Sequence, residues 1–278
     1  MRQWLALGAA LLLALPASAG EVPTLDAHDW MSRIAAALRM EQSMSAHAHV
    51  EVDLPGRKDD FAFEMQLLRD AEGDATSRRT VIEMREVGDT HSIVSEIVDT
   101  PGEALTIWNW DLQKRRWLSV KGLLKTDPWA DTPFRYEDLW LTEPTERRAG
   151  KVSIVEEGGR RLVQLESDPY HYYLRVVTKL DPETSLPQSV LFVDNTGTPI
   201  REQHYEQLTL VDGRPFPTVV RIRNLAEGGQ TTVTWGDVRF GRRVPPSFFD
   251  RSVMDDRMRR GADPLPEPPE LLTEGAAP

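Results

Sequence analysis

Apolar and polar residues alternate along most of this chain with a period of two, and in one early segment with a period near that of a helix. Residues 25–43, LDAHDWMSRIAAALRMEQS, form the helical segment. Trp30, Ile34, Ala37 and Leu38 fall on one stripe, and Asp26 and Asp29 stand at its start, where carboxylates suit a helix N-terminus. The pattern then becomes that of strands. Val50, Val52 and Leu54 alternate with His49, Glu51 and Asp53, and Phe61, Phe63, Met65 and Leu67 with Ala62, Glu64, Gln66 and Leu68. Strands with one apolar and one polar face predict an antiparallel sheet with one face wet.

Turn signals punctuate the strands at Asp99-Thr100-Pro101-Gly102, Glu157-Gly158-Gly159, Asp212-Gly213 and Glu227-Gly228-Gly229. About twelve or thirteen strands joined by such turns predict a mainly β chain, a large antiparallel meander curled toward a barrel or sandwich. The helix is available to cover its concave face. Residues 122–149 break the pattern. Pro128, Pro133 and Pro144 interrupt any long element, yet Leu123, Leu124, Trp129, Phe134, Trp140 and Leu141 make the segment apolar. An insert this long and apolar is expected to cover or enter something. After Pro245-Pro246 comes a short apolar stretch, Phe248, Phe249, Val253 and Met254. Residues 261–278 hold five prolines and predict an unstructured tail. No flexible linker divides the rest, so residues 20–260 are read as one domain.

The first 19 residues, MRQWLALGAALLLALPASA, combine a basic start at Arg2, an apolar run and the small-residue site Ala17-Ser18-Ala19. They predict a cleaved signal peptide and a periplasmic destination. The chain has 278 residues, 40% hydrophobic and 28% charged, a globular balance. Lys and Arg number 33 against 44 Asp and Glu, for a net charge of −11. With no basic block, nucleic acid is not an expected partner. The absence of Cys excludes disulfides, thiolate metal sites, cysteine catalysis and a lipid-modified cysteine.

Few residues suggest chemistry. His47-Ala48-His49 places two imidazoles on one strand face, a geometry able to bind metal; no third ligand can be named from sequence, Glu51 on the same face is equally a solvated neighbour, and an exposed polar strand face is the expectation. Tyr170-His171-Tyr172-Tyr173 could stack on a ligand, though packing is the commoner role of strand aromatics. Nucleophile elbows, metalloprotease helices and phosphate loops are absent. Neither an enzyme nor a cofactor is expected.

The segment DTPFRYEDLW, Asp131 to Trp140, resembles the "sDFsYeDl" signature of exported LolA-like outer-membrane lipoprotein-sorting proteins. Further pieces follow in the family's order. Tyr173-Leu174-Arg175-Val176-Val177 and then Leu180-Asp181-Pro182-Glu183-Thr184-Ser185-Leu186-Pro187 resemble its "Y.kv...vdketglP" run, Val193-Asp194-Asn195-Thr196-Gly197 its "yd..G", and Ser247-Phe248-Phe249 its closing "d.F". Two departures stand out: Trp129-Ala130 replaces the usual Gly-Ser before the signature, and Arg175 or Val176 the usual Lys of the Tyr-x-Lys strand.

The resemblance implies a large antiparallel half-open β-barrel with its concave apolar face covered by the helix and the insert. It further implies a carrier of lipid or of lipoprotein acyl chains, with an inner-membrane transporter as donor. The alternative is an RseB-like envelope sensor that binds a partner protein. The chain is expected to be monomeric. The residues placed to line the cavity are Trp30, Ile34 and Leu38 on the helix, Phe61, Phe63, Met65 and Leu67 on the facing strand, Trp108 and Trp110 on a later strand, and Trp129 and Phe134 in the insert.

Overall fold

The computed structural model describes residues 24–39, 42–69, 78–86, 92–99, 106–111, 113–121, 135, 149–169, 172–241 and 246–260. Helix α1 (Ala27–Ala37) opens on Asp26, whose side chain accepts from the Asp29 N–H at 2.9 Å. It ends earlier than the sequence pattern predicts, because Arg39 takes a left-handed conformation (φ 53°) that turns the chain toward the first strand.

Thirteen strands follow: β1 (Met44–Leu54), β2 (Arg57–Arg69), β3 (Arg78–Glu86), β4 (Ser92–Asp99), β5 (Thr106–Asp111), β6 (Arg116–Val120), β7 (Ala149–Glu157), β8 (Arg160–Ser167), β9 (Tyr173–Leu180), β10 (Pro187–Asp194), β11 (Pro199–Val211), β12 (Arg214–Asn224) and β13 (Gln230–Phe240). They form one antiparallel sheet in the order β6-β5-β4-β3-β2-β1-β13-β12-β11-β10-β9-β8-β7. Every neighbour in space is a neighbour in sequence except the pair β1 and β13, which joins two meanders. The hairpin signals hold at the atomic level. Gly158 and Gly159 (φ 58° and 75°) join Glu157 to Arg160, and Asp212 and Gly213 (φ 48° and 74°) join Val211 to Arg214. Positive φ at both central residues is the requirement of the tight turn that matches strand twist.

Cross-strand register defines one continuous inner face. Residues directly opposite share a face, so Val163 leads to Leu180, Thr178 to Val190, Gln203 to Ile222, and Val233 through Val50 to Phe61. From β2 the same face passes to Met84 and Ile82, then through Ile97 and Ile107 to Val120. The fold is the mainly β, half-open barrel expected, with α1 against the inner face of β7–β9.

A second helix departs from the sequence reading, which expected only a short apolar stretch here. A 3₁₀ turn (Pro246–Phe249) and α2 (Arg251–Arg260) pack on the outer face of β2–β6. Phe249, Met254 and Met258 contact Leu68, Val81, Val94 and Trp110. Ion pairs surround that contact: fully buried Glu96 accepts from Arg79 at 2.5 Å and from Arg251, and Glu83 accepts from Arg257. Asp255 accepts from the Trp117 indole at 2.5 Å. Among the described residues no helix is long and apolar enough to cross a membrane.

Candidate functional site: the inner face

The inner face holds one large apolar cluster and two smaller ones. The first spans β1–β6, β12 and β13 and contains Met44, Val50, Phe63, Met65, Leu67 and Met84 among its buried members, with Phe61 and Trp235 half-buried beside them. Phe63 meets the Trp235 ring edge-on at 6.2 Å and the Phe61 ring at a 33° tilt at 6.4 Å. The second lies beneath α1, where Trp30, Ile34 and Leu38 contact Val163, Leu165, Leu180 and Leu186. The third, on β9–β11, contains Tyr173, Val176, Val190, Phe192 and Ile200.

The sequence-predicted lining residues are thus divided. Phe61, Phe63, Met65 and Leu67 share the inner face as expected, while Trp30, Ile34 and Leu38 serve a neighbouring part of it. Trp108 and Trp110 are a correction. The register of β5 turns Ile107 inward, so both indoles face outward; Trp110 packs beneath α2, and the Arg251 guanidinium stands 4.4 Å over Trp108. The outer face of β5, with Trp108 and Trp110, is more apolar than the inner one, where Ile107 stands with Asn109 and Asp111, and a period of two does not say which face is inner. Trp129 and Phe134 lie outside the described residues, as do residues 1–23 and 261–278 and all of the Asp131–Trp140 signature except Arg135.

Sequence reasoning missed a polar stripe on β11. Arg201 and Gln203, 2% and 6% exposed, point inward with Tyr205, while Glu202 and His204 point out. The Arg201 guanidinium lies 3.9 Å over the Phe192 ring, and the Tyr205 hydroxyl donates to Gln203 Oε1 at 3.3 Å. The signal was present as alternation in Arg201-Glu202-Gln203-His204-Tyr205, but with polar residues on both sides the pattern has no apolar face to read. Among the buried side-chain polar atoms that have no hydrogen-bond partner among the described residues are Trp30 Nε1 and Thr231 Oγ1.

A latch holds the chain just beyond the end of α1. The buried Arg39 guanidinium pairs with Asp212 at 2.8 Å, donates to the Val211 carbonyl and lies 4.5 Å from the Phe240 ring centre. Both acceptors belong to the β11–β12 hairpin. The outer face of β8–β11 differs in kind: a groove of about 250 Å³ there is lined by Glu166, Arg175, Lys179 and Glu202, charges of both signs over Val177 and Leu191. That composition suits solvent or polar ligands, and the inner face is the apolar candidate.

A family model described as "Uncharacterized protein" matches residues 76–256. No curated protein matches. Among solved structures, the chain is similar to a Vibrio parahaemolyticus domain assigned as an outer membrane lipoprotein-sorting protein, with 17% identity, 83% of this chain and 100% of that one covered, and a TM-score of 0.67. A DUF1329 family protein from Desulfovibrio piger matches at 16% identity over 80% of this chain and 97% of its own, TM-score 0.66. A LolA superfamily protein from Nitrosomonas europaea matches at 12% identity over 82% and 99%, TM-score 0.63.

Proposed function

We propose a function from this premise: the chain belongs to the uncharacterized-protein family whose model spans residues 76–256, and its fold is that of the LolA superfamily. It acts as a periplasmic carrier that holds a lipid, or the acyl chains of a lipoprotein, against the inner face of its half-barrel. The observation that carries this reading is the largely apolar inner face, whose three clusters run from Val120 on one edge strand to Leu165 beside the other and are interrupted on β11 by Arg201 and Gln203. Exposing an acyl chain to water costs about 0.8 kcal/mol per methylene, so a chain of about 16 carbons costs on the order of 12 kcal/mol. Passage through an aqueous compartment therefore requires an apolar enclosure.

The inner residues are buried, with Val50, Ile107 and Val233 at 0% exposure, which this reading takes as a closed form. Uptake requires an opening, and α1 is the element to move, since it rests on β7–β9 through apolar contacts and is latched by Arg39. Trp30 Nε1 and Thr231 Oγ1, without a hydrogen-bond partner among the described residues, suit an amphiphile, whose ester or amide groups would meet them. No enzymatic step is proposed. The donor in this reading is an inner-membrane transporter, and Leu208 and Leu210, 56% and 71% exposed on β11, offer it an apolar contact.

Lipid extraction and mass spectrometry of natively purified protein should find bound lipid, and a fluorescent fatty acid should bind and be displaced by phospholipid. Protein that carries no lipid and also refuses such probes would refute the reading.

A further inference from the structure

The outer face of β1 and β2 carries an arrangement separate from the inner face. β1 presents His49 and Glu51 outward, and the β1–β2 register sets Asp60 opposite Glu51 and the small Ala62 opposite His49. One potential ligand atom from each of His49, Glu51 and Asp60 lies within 4.8 Å of the other two. His49 Nε2 stands 3.5 Å from Asp60 Oδ1. That is longer than the roughly 2.7–3.2 Å of a good N–H···O bond. It is close to the roughly 3.4 Å edge of a tetrahedron whose ligands sit about 2.05 Å from its centre.

The surroundings keep the cluster open. On the other side β13 sets Thr232 beside Glu51 and Thr234 beside His49, so no bulky side chain intervenes there. Lys58, on the same face of β2, pairs with Asp53 at 3.4 Å. His49 and Glu51 are two residues apart on one strand and Asp60 sits on its hydrogen-bonded neighbour, so the ladder holds all three Cβ atoms in place before any ion arrives.

We propose that His49, Glu51 and Asp60 form a surface site for a divalent transition-metal ion, with Zn²⁺ the best match and water completing its coordination. One imidazole selects against Mg²⁺ and Ca²⁺, which favour all-oxygen shells, and two carboxylates balance the double charge. The ion would cross-link β1 to β2 beside the joint between the two meanders.

The test is calorimetric titration of chelator-treated protein with ZnCl₂, alongside thermal melts with and without the ion. The expected result is one Zn²⁺ per chain at micromolar affinity, undisturbed by excess Mg²⁺, and a rise in Tm. Glu51→Gln and Asp60→Asn each weaken binding at least about tenfold, as losses of ligation do. All three side chains are exposed, so the variants should keep the metal-free Tm of the wild type. Absence of saturable uptake by wild type, or a clearly smaller loss in either variant, overturns the assignment. The inner-face reading is untouched by either result.

Discussion

Arg39→Ala is expected to free α1 from the half-barrel without melting the sheet. The Arg39 side chain is 6% exposed, whereas Asp212 is 66% exposed, so their ion pair is screened and contributes below about 1 kcal/mol. The charge-assisted hydrogen bond to the Val211 carbonyl contributes about 1.5–3 kcal/mol. The Phe240 contact adds about 0.5–1 kcal/mol. These contributions overlap, because one guanidinium makes all three, and about 2–3 kcal/mol is the expected sum. If the contacts exist only in the closed form, opening becomes about 30- to 140-fold more frequent, at about 1.4 kcal/mol per tenfold. Hydrogen exchange followed by mass spectrometry reads this directly. Amides of α1 should lose protection by that factor while those of β1 and β13 keep theirs. Asp212→Asn, which removes only the screened charge, should change α1 by less than about fivefold. Unchanged α1 protection in Arg39→Ala would refute the latch, and equal loss at every amide would show that Arg39 supports global stability instead.

The outer clamp and one surface turn give two further expectations. Arg251→Ala leaves the fully buried Glu96 with Arg79 as its ion-pair partner among the described residues, a loss of about 2–4 kcal/mol by urea denaturation; a change under about 1 kcal/mol would mean that Arg79 suffices. The Thr196 hydroxyl, and after it the Thr198 N–H, hold the Asp194 carboxyl below its ordinary 3.8. A pKa lower in the folded than in the unfolded chain stabilises the fold above 3.8, and that stability is lost as pH falls below it. Asp194→Asn should therefore lose less stability than wild type between about pH 5 and about pH 3, and identical acid limbs would count against the turn's role.

Local rules made much of the sheet legible. Gly158-Gly159 and Asp212-Gly213 announce hairpins because only such residues accept two successive positive φ angles cheaply. The alternation in β1 and β2 gave the correct inner face because one side is strongly apolar and the other strongly polar. The rest depended on information that a period cannot hold. In β5, Ile107 and Trp108 are both apolar, and the choice between them was made by α2, a helix of high charge whose two buried methionines are too few to mark it. Arg201 and Gln203 are buried although polar, so hydropathy assigns them to the surface. Asp60 became a partner for His49 only once the β1–β2 register was known.

The joint between β1 and β13 also sets the order in which this chain can fold. Each meander zips up from its own turns, hairpin by hairpin, on a timescale of about 1–10 μs per hairpin. Val50 and Val233, in contrast, face each other from opposite ends of the sequence, and the entropy of closing so long a loop must be met before that ladder returns anything. Until then each half-sheet carries an unpaired edge of complementary shape. At high concentration, β13 of a second chain reaches β1 as readily as the chain's own β13 does, and the product is two molecules that have exchanged halves.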